Sequence, residues 1–507
     1  MRIGDLGTSS IVVKTDLRKI SSADLVLFCL LGKRKDRFDG VQGFPKINCY
    51  DNTDILDSWV DDGMSDCCDW EGVICNATSR ALNLSLLHPF EALLRLDLSS
   101  NRLNGWINKE GFERLSRLKR LQCLDLSDNL FNNSILSSVN ALISLKTLIL
   151  RGNNMAGLFP IKELVDLKNL ETLDISENQF NGISMEGFDR SSSLKKLQVL
   201  DLSSNMFNNS ILPHMSGLVS LKTLILRSND MAGSFPSKVN LKTLETLDIS
   251  YNQFNGTQSV EGLCGLKSLT ELGLRSNQFS GPLPQCLGNL TNLQVLDLST
   301  NQFSGNIQSV VSKLTSLKYL FLSGNIFPNN MNLRSLTVLD MNNNNFTGMI
   351  SAELGKIPML QVLDISNNKN GLNGLIPPVL ARSPNLVALD LRDKFSGSIP
   401  SWISQLSKLL VLSLGGNALR GHIPNQLCQL RNVRIMDLSR NLFFGSIPSC
   451  FNNVSFGMMG EDNFETGSIS AVEATESRHI GLCGLKSLVE VGVRVMNFSP
   501  LGNVLAT

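Results

Sequence analysis

The chain has 507 residues, 46 Lys and Arg against 45 Asp and Glu, four His and a mean hydropathy of +0.05. A net charge of +1 leaves no electrostatic footprint for nucleic acid, and no apolar run reaches the roughly 18 residues of a membrane-spanning helix. The length alone would suggest several globular domains, a prior that an internal repeat overturns.

Residues 1–48 read as a degenerate leader, disordered or arising from a misassigned start. The one candidate signal core, Ala23 to Leu31, is interrupted by Asp24 and followed by Gly32, Lys33, Arg34 and Lys35. Residues 49–92 hold a dense block with Trp59, Cys67, Cys68, Trp70, Gly72, Val73 and Cys75. Zinc is the weaker reading, because adjacent cysteines lack the usual spacer and no histidine lies nearby. Two tryptophans and disulfides suit a cap, since the first coil of a stacked array exposes its apolar end.

From residue 93 to 451 the chain repeats one spelling: apolar, two variable, apolar, one variable, apolar, two variable, asparagine. The asparagines are Asn101, Asn129, Asn153, Asn178, Asn205, Asn229, Asn252, Asn277, Asn301, Asn325, Asn344, Asn368, Asn417 and Asn441. This is the signature of leucine-rich repeats, about fifteen in all. It predicts an α/β repeat solenoid with a concave parallel β-sheet and a convex side of 3-10 turns and loops. In one unit, Leu272 and Leu274 alternate inward as a short strand, and Leu269, Phe279 and Leu283 complete the filling. Each coil buries five or six such side chains at about 1.5–3 kcal/mol apiece, against a comparable ordering cost. The asparagine amide is expected to satisfy backbone groups of adjacent coils, and Gly281 to adopt a geometry a side chain would obstruct.

Three irregularities stand out. The coil from Leu386 to Pro400 is one residue short and lacks the asparagine, the step from Asn325 to Asn344 is shortened, and Gly371 with Leu372 reads as a small insertion. Leu121 to Gly157 resembles Leu197 to Gly233 at an offset of 76, a duplication of three coils.

Cys264 with Cys286 and Cys428 with Cys450 are each 22 apart, nearly one coil, so both read as disulfide staples between neighbouring coils. Cys123 reads as a free thiol. Disulfides place the chain in an oxidising compartment. Sequons at Asn76, Asn83, Asn132, Asn208, Asn255, Asn289, Asn345, Asn453 and Asn497 make these asparagines candidate glycosylation sites and point the same way.

On the strands, the site between the second and third apolar positions is aspartate in ten repeats: Asp97, Asp125, Asp174, Asp201, Asp248, Asp297, Asp340, Asp364, Asp390 and Asp437. A catalytic row is the weaker reading. No partner base or nucleophile recurs beside them, and a solvent-facing strand position is expected to be polar. Candidate ligand contacts on this concave face are Lys146, Arg151, Lys222, Arg227 and Arg275, which could clamp a carboxylate, with Tyr319 and Phe321 as an aromatic spot. No phosphate loop, kinase signature or metal-ligand cluster occurs, so neither an enzyme nor a cofactor is expected. Beyond the repeats, residues 452–480 read as an island-like polar loop. In residues 481–507, Gly481 to Leu488 copies Gly262 to Leu269 and begins a degenerate partial repeat in which Met496 stands where Asn277 stands.

The cap residues Trp59 to Cys75, and repeat endings such as Gly397 Ser398 Ile399 Pro400 and Gly445 Ser446 Ile447 Pro448, resemble those of plant extracellular leucine-rich-repeat receptor-like proteins, which lack a kinase. The resemblance covers roughly residues 56–451 and implies a leucine-rich-repeat right-handed superhelix with an extra short sheet beside the main concave one. It implies a Cys68–Cys75 bridge, with Cys49 the nearest partner for Cys67. It further implies a ligand-binding ectodomain at the plasma membrane, acting in defence or development with a membrane receptor kinase as partner. Against that pattern the chain is expected to be truncated. A soluble apoplastic inhibitor of cell-wall-degrading enzymes and a non-functional receptor fragment are the competing readings.

Overall fold

The computed structural model describes residues 81–82, 93–101, 103–106, 118–184, 194–236, 239, 241–256, 260–328, 336–346, 354, 357–368 and 372–453. The leader, the cap cysteines Cys49, Cys67, Cys68 and Cys75, the sequons at Asn76, Asn83 and Asn497, and everything after 453 lie outside them. The chain divides into two compact units, Met1–Leu194 and Lys195–Thr507.

In the first unit the strands Arg95–Asp97, Cys123–Asp125, Thr147–Ile149 and Thr172–Asp174 pair in parallel, each on the next. In the second, eleven more follow, Val199–Asp201, Thr223–Ile225, Thr246–Asp248, Glu271–Gly273, Val295–Asp297, Tyr319–Phe321, Val338–Asp340, Val362–Asp364, Ala388–Asp390, Val411–Ser413 and Ile435–Asp437, again paired in chain order. The described strands of this type number fifteen, as the repeat count predicts. Register aligns like with like: Leu247, Leu272, Leu296, Leu320, Leu339 and Leu363 sit opposite one another and all are buried. A parallel pair needs a crossover connection. Here the crossover is the far side of each coil, where one-turn 3-10 helices such as Glu261–Gly265, Gln285–Asn289 and Asn425–Gln429 lay Leu263, Leu287 and Leu427 into the core.

Between strand and crossover, short secondary strands form further parallel pairings. Ala156–Phe159 pairs with Gln179–Ile183 in the first unit. In the second, Ala232–Gly233 to Gln302–Phe303 make one four-stranded sheet and Asn373–Leu375 to Leu442–Phe443 another. Gly281 has φ +77°, the left-handed backbone that a Cβ disfavours.

Two internal columns hold the coils together. Phe254, Phe279, Phe303 and Phe327 are fully buried and stack with ring centroids 5.9, 5.8 and 6.5 Å apart. Beside them runs the asparagine ladder. Asn301 Oδ1 accepts from Phe279 N at 3.1 Å, while its Nδ2 lies 2.9 Å from Leu274 O and 3.1 Å from both Leu298 O and Ser299 O. One amide thus ties the turn of its own coil to two segments of the previous one. To present it, the residue before the asparagine turns left-handed, as at Ser276 (φ +53°) and Thr300 (φ +53°). Both staples form, with Cα atoms 5.6 Å apart for Cys264–Cys286 and 6.0 Å for Cys428–Cys450.

One reading of the irregular coils needs correction. Leu372 is not part of an insertion. It is buried, its N–H reaches the next coil's Asp393 at 3.2 Å, and it opens the strand turn that Phe279 opens elsewhere. The extra residues fall before it, at 369–371, outside the described residues.

Candidate functional site

The outer face of the main sheet carries three columns of side chains, and they differ in what they can offer a partner. The aspartate column is turned into the turn. In each of the ten repeats the carboxylate accepts the backbone N–H two residues on, at 2.9 to 3.1 Å. The expectation that these positions face solvent is corrected for six of them, Asp174, Asp201, Asp248, Asp340, Asp364 and Asp390, which are buried. Burial pushes the carboxyls of Asp248 and Asp297 up, with the hydrogen bonds from Ser250 and Ser299, and then Arg227 and Arg275, pulling them back. Burial, then the neighbouring Asp364, raises Asp340 to about 8. Burial, then Asp390, raises Asp364 to about 6. The Asn342 amide donates to both Asp340 and Asp364 at 2.8 Å. These carboxylates cap turns and stack on one another.

The arginine column is split. Arg151 reaches into the next coil and pairs with Glu177, Nη2 to Oε1 at 2.5 Å and Nε to Oε2 at 3.1 Å. Arg392 forks onto Asp390 in its own coil, with Nε 2.9 Å and Nη2 2.6 Å from Oδ2. Arg227 and Arg275 have no such pairing among the described residues. They flank the ring of Tyr251, with Cζ 4.5 and 5.8 Å from its centroid. Lys146 and Lys222 are half exposed and pair with Glu171 at 3.7 Å and Glu245 at 3.0 Å. Exposed pairs of this kind contribute little to stability, so both ammonium groups remain available.

The third column is apolar. Val295, Val338, Val362, Ala388 and Val411, one per coil, are buried on the outer face, with Tyr319, Leu410 and Ile435 packed against them. Phe321 belongs to this seam and is 8% exposed, which removes it as the projecting aromatic contact expected above. Tyr319 is half-buried.

Sequence reasoning missed Tyr251. The signal was there: it occupies the left-handed position before the asparagine (φ +55°), where serine and glycine recur, and a bulky side chain in that backbone is an outlier. It is 40% exposed. Cys123 is a free thiol, half-buried between Arg95 and Thr147, with burial pushing it up.

Among the sequons, Asn132, Asn208, Asn255 and Asn289 are exposed and Asn345 is half-buried, while Asn453 ends the last described 3-10 turn. Asn132 and Asn208 cap helical turns through Oδ1, to Ser134 N at 3.0 Å and Ser210 N at 2.9 Å. Among the described residues there is no group of three potential metal ligands and no helix long and apolar enough to cross a membrane.

A family model for the leucine-rich repeat region matches residues 180–497. The chain belongs to the leucine-rich repeat family. Its relatives include Arabidopsis thaliana proteins: putative receptor-like protein 8 is 35% identical over 259 residues, covering 48% of this chain and 20% of its own. Receptor-like protein 13 is 36% identical over 328 residues, 53% of this chain and 31% of its own. The chain thus spans less than a third of the length of these relatives. Among solved structures, the ectodomain of the Arabidopsis receptor kinase GASSHO1/SCHENGEN3, in complex with CASPARIAN STRIP INTEGRITY FACTOR 2, is 30% identical with a TM-score of 0.53, over 74% of this chain and 47% of that one. A leucine-rich-repeat protein of Leptospira interrogans is 29% identical with a TM-score of 0.61, over 72% of this chain and 90% of that one.

Proposed function

We propose that this chain is the ligand-binding part of a plant cell-surface receptor-like protein that recognises an extracellular signal and passes it to a membrane receptor kinase. The observation that carries the reading is the combination of receptor-like relatives with a sheet whose outer face keeps cationic side chains over a scaffold of capped turns. The aspartates and the apolar seam build the scaffold. Specificity then falls to what projects from it: Lys146, Lys222, Arg227, Arg275 and Tyr251, with Tyr319 at the edge of the seam. The staples and sequons fit an oxidising, glycosylating route to the cell surface.

A platform of this kind transmits nothing by itself, so the partner supplies the catalysis. The test is to express the chain behind a functional signal peptide and ahead of a membrane anchor in plant cells, then recover it from solubilised membranes with and without microbial or wall-derived extracts. Co-purification of a receptor kinase, strengthened by one extract, is the expected result. Recovery of no kinase under any condition overturns the signalling reading.

A further inference from the structure

The duplication at an offset of 76 supplies an internal control. Arg151 and Arg227 are copies of one another, and each reaches the residue before the asparagine of the next coil. For Arg151 that residue is Glu177, and the guanidinium is satisfied by a two-point ion pair. For Arg227 it is Tyr251, whose ring lies 4.5 Å from Cζ but offers no anion. One coil further, Arg275 approaches the same ring at 5.8 Å, and its Nε is buried with no hydrogen-bond partner. Asp248 and Asp297 feel Arg227 and Arg275 electrostatically, but they accept from the Ser250 and Ser299 N–H groups at 2.9 Å and form no ion pair with either guanidinium among the described residues. A bulky residue in a left-handed backbone is strained, and such strain clusters at ligand sites. Here it holds two unpaired guanidinium groups apart at the rim of the sheet.

We propose that Arg227, Tyr251 and Arg275 form a binding site for two carboxylates carried on an extended acidic peptide. This rests on the ligand-binding reading above. The two arginines stand two coils apart, about 10 Å at the spacing of parallel strands. Acidic side chains two residues apart on an extended chain lie on one side about 7 Å apart at Cα, and glutamates splay to cover the difference. Each guanidinium then takes a carboxylate in a charge-assisted, two-point geometry. A uronate polymer also carries repeating carboxylates, but sugar rings bind by stacking on open aromatic faces. Arg227 and Arg275 both lie over the Tyr251 ring, where they compete with a stacking sugar, so the peptide is the better fit.

The test is calorimetric titration of the secreted full chain with a peptide alternating Glu and Gly, its Gln counterpart, and an oligogalacturonate. The acidic peptide is expected to bind, the Gln peptide not, and salt to weaken the binding steeply. Arg227→Gln and Arg275→Gln should each weaken it by about tenfold or more. Tyr251→Glu, which installs the carboxylate that Arg151 already has, should abolish it while leaving the thermal melt in place. Tyr251→Phe keeps the ring between the arginines and should retain binding, which separates the site from any loss of folding. Equal binding by wild type and Tyr251→Glu overturns the proposal. So does preference for oligogalacturonate, or failure of a folded chain to bind the acidic peptide. A receptor kinase recovered from membranes in that last case would leave the broader reading standing, so the two failures are distinguishable.

Discussion

The coil that ends in Asn301 and the coil that runs through Asp393 make the same turn with different chemistry. In the first, a left-handed Thr300 precedes an amide that both accepts and donates. In the second, the coil is one residue short, and the residue it lacks is the left-handed one: between Asn367 (φ +55°) and Gly416 (φ +68°) the described positive-φ residues are Gly374 and Gly397 of the secondary strands, and none stands before Asp393. Asp393 fills the gap. Its Oδ2 accepts from Asn368 N and Leu372 N, both at 3.2 Å, and Asn417 Oδ1 takes the N–H groups of Asp393 and Phe395 at 3.1 and 2.9 Å. A carboxylate can receive but cannot return a donor. The ladder therefore survives on its accepting side, the secondary strand Lys394–Gly397 still pairs with Asn373–Leu375, and Phe395 stays fully buried. The difference teaches that acceptance of the preceding coil's N–H is indispensable to the stack, while donation to its carbonyls is the part that can be lost.

The largest effect should come from the intact region. Phe279 is fully buried between Phe254 and Phe303, and Phe279→Ala should cost about 3–5 kcal/mol as a cavity opens in the column. Urea unfolding monitored with amide exchange in coils 254 to 303 would read it. A loss below about 1 kcal/mol would mean that neighbouring coils collapse into the space.

Next is the ladder itself. Asn301→Ala leaves Phe279 N and the carbonyls of Leu274, Leu298 and Ser299 without the amide they share, and each stranded buried group is costly. The expected loss is roughly 2–4 kcal/mol. Asn301→Asp tests the lesson directly: it should cost less than the alanine, because it keeps the accepting side that suffices at Asp393. An aspartate as damaging as alanine would break the comparison.

The coils at Val338 and Val362 lead into the shortened one and carry the strongest electrostatic signature. Asp340 and Asp364 hold protons up to about pH 8 and 6, above the unfolded aspartate value. Raised carboxyl values mean that the stability they contribute is complete below about pH 4 and is lost as pH climbs through 6 to 8. The urea midpoint should fall across that window, and Asp340→Asn, neutral throughout, should flatten the fall. An unchanged slope in the variant would assign the pH dependence elsewhere.

How much of this could be read beforehand follows from where the information sits. Strand number, the two staples and the ladder asparagines were legible because each depends on spacing along the chain, and one coil is one period. Burial of Asp340, Asp364 and Phe321 was not, because it depends on the rows above and below. Strands stacked about 4.8 Å apart cover one another's outer side chains, so alternation along a single strand misjudges exposure. Leu372 was misplaced for a related reason: an insertion ahead of a core position shifts it out of the period without moving it in space. Tyr251 was legible in principle, as the one aromatic at a position that turns left-handed in fourteen of the fifteen coils. Its meaning required Arg227 and Arg275 from the coils on either side.

The smallest predicted change is also the one most specific to the shortened coil. Asp393→Asn keeps an oxygen for Asn368 N and Leu372 N, and replaces the other oxygen with a donor. In intact coils that donor reaches the carbonyl three residues before the previous asparagine, as Asn301 reaches Leu274. Here the corresponding group is Ile365 O, which among the described residues receives only the amide of Asn368 in its own coil, at 2.8 Å. Burial also holds the Asp393 carboxyl above its ordinary value, so at neutral pH the charged form sits in a site that disfavours it. Both terms act in one direction, and the variant should be more stable by about 0.5–1.5 kcal/mol, with the gain growing as pH rises because only the aspartate acquires charge. Urea midpoints at a low and a high pH measure it. A variant no more stable than the parent would show that the missing left-handed residue, rather than the missing donor, is what limits this coil.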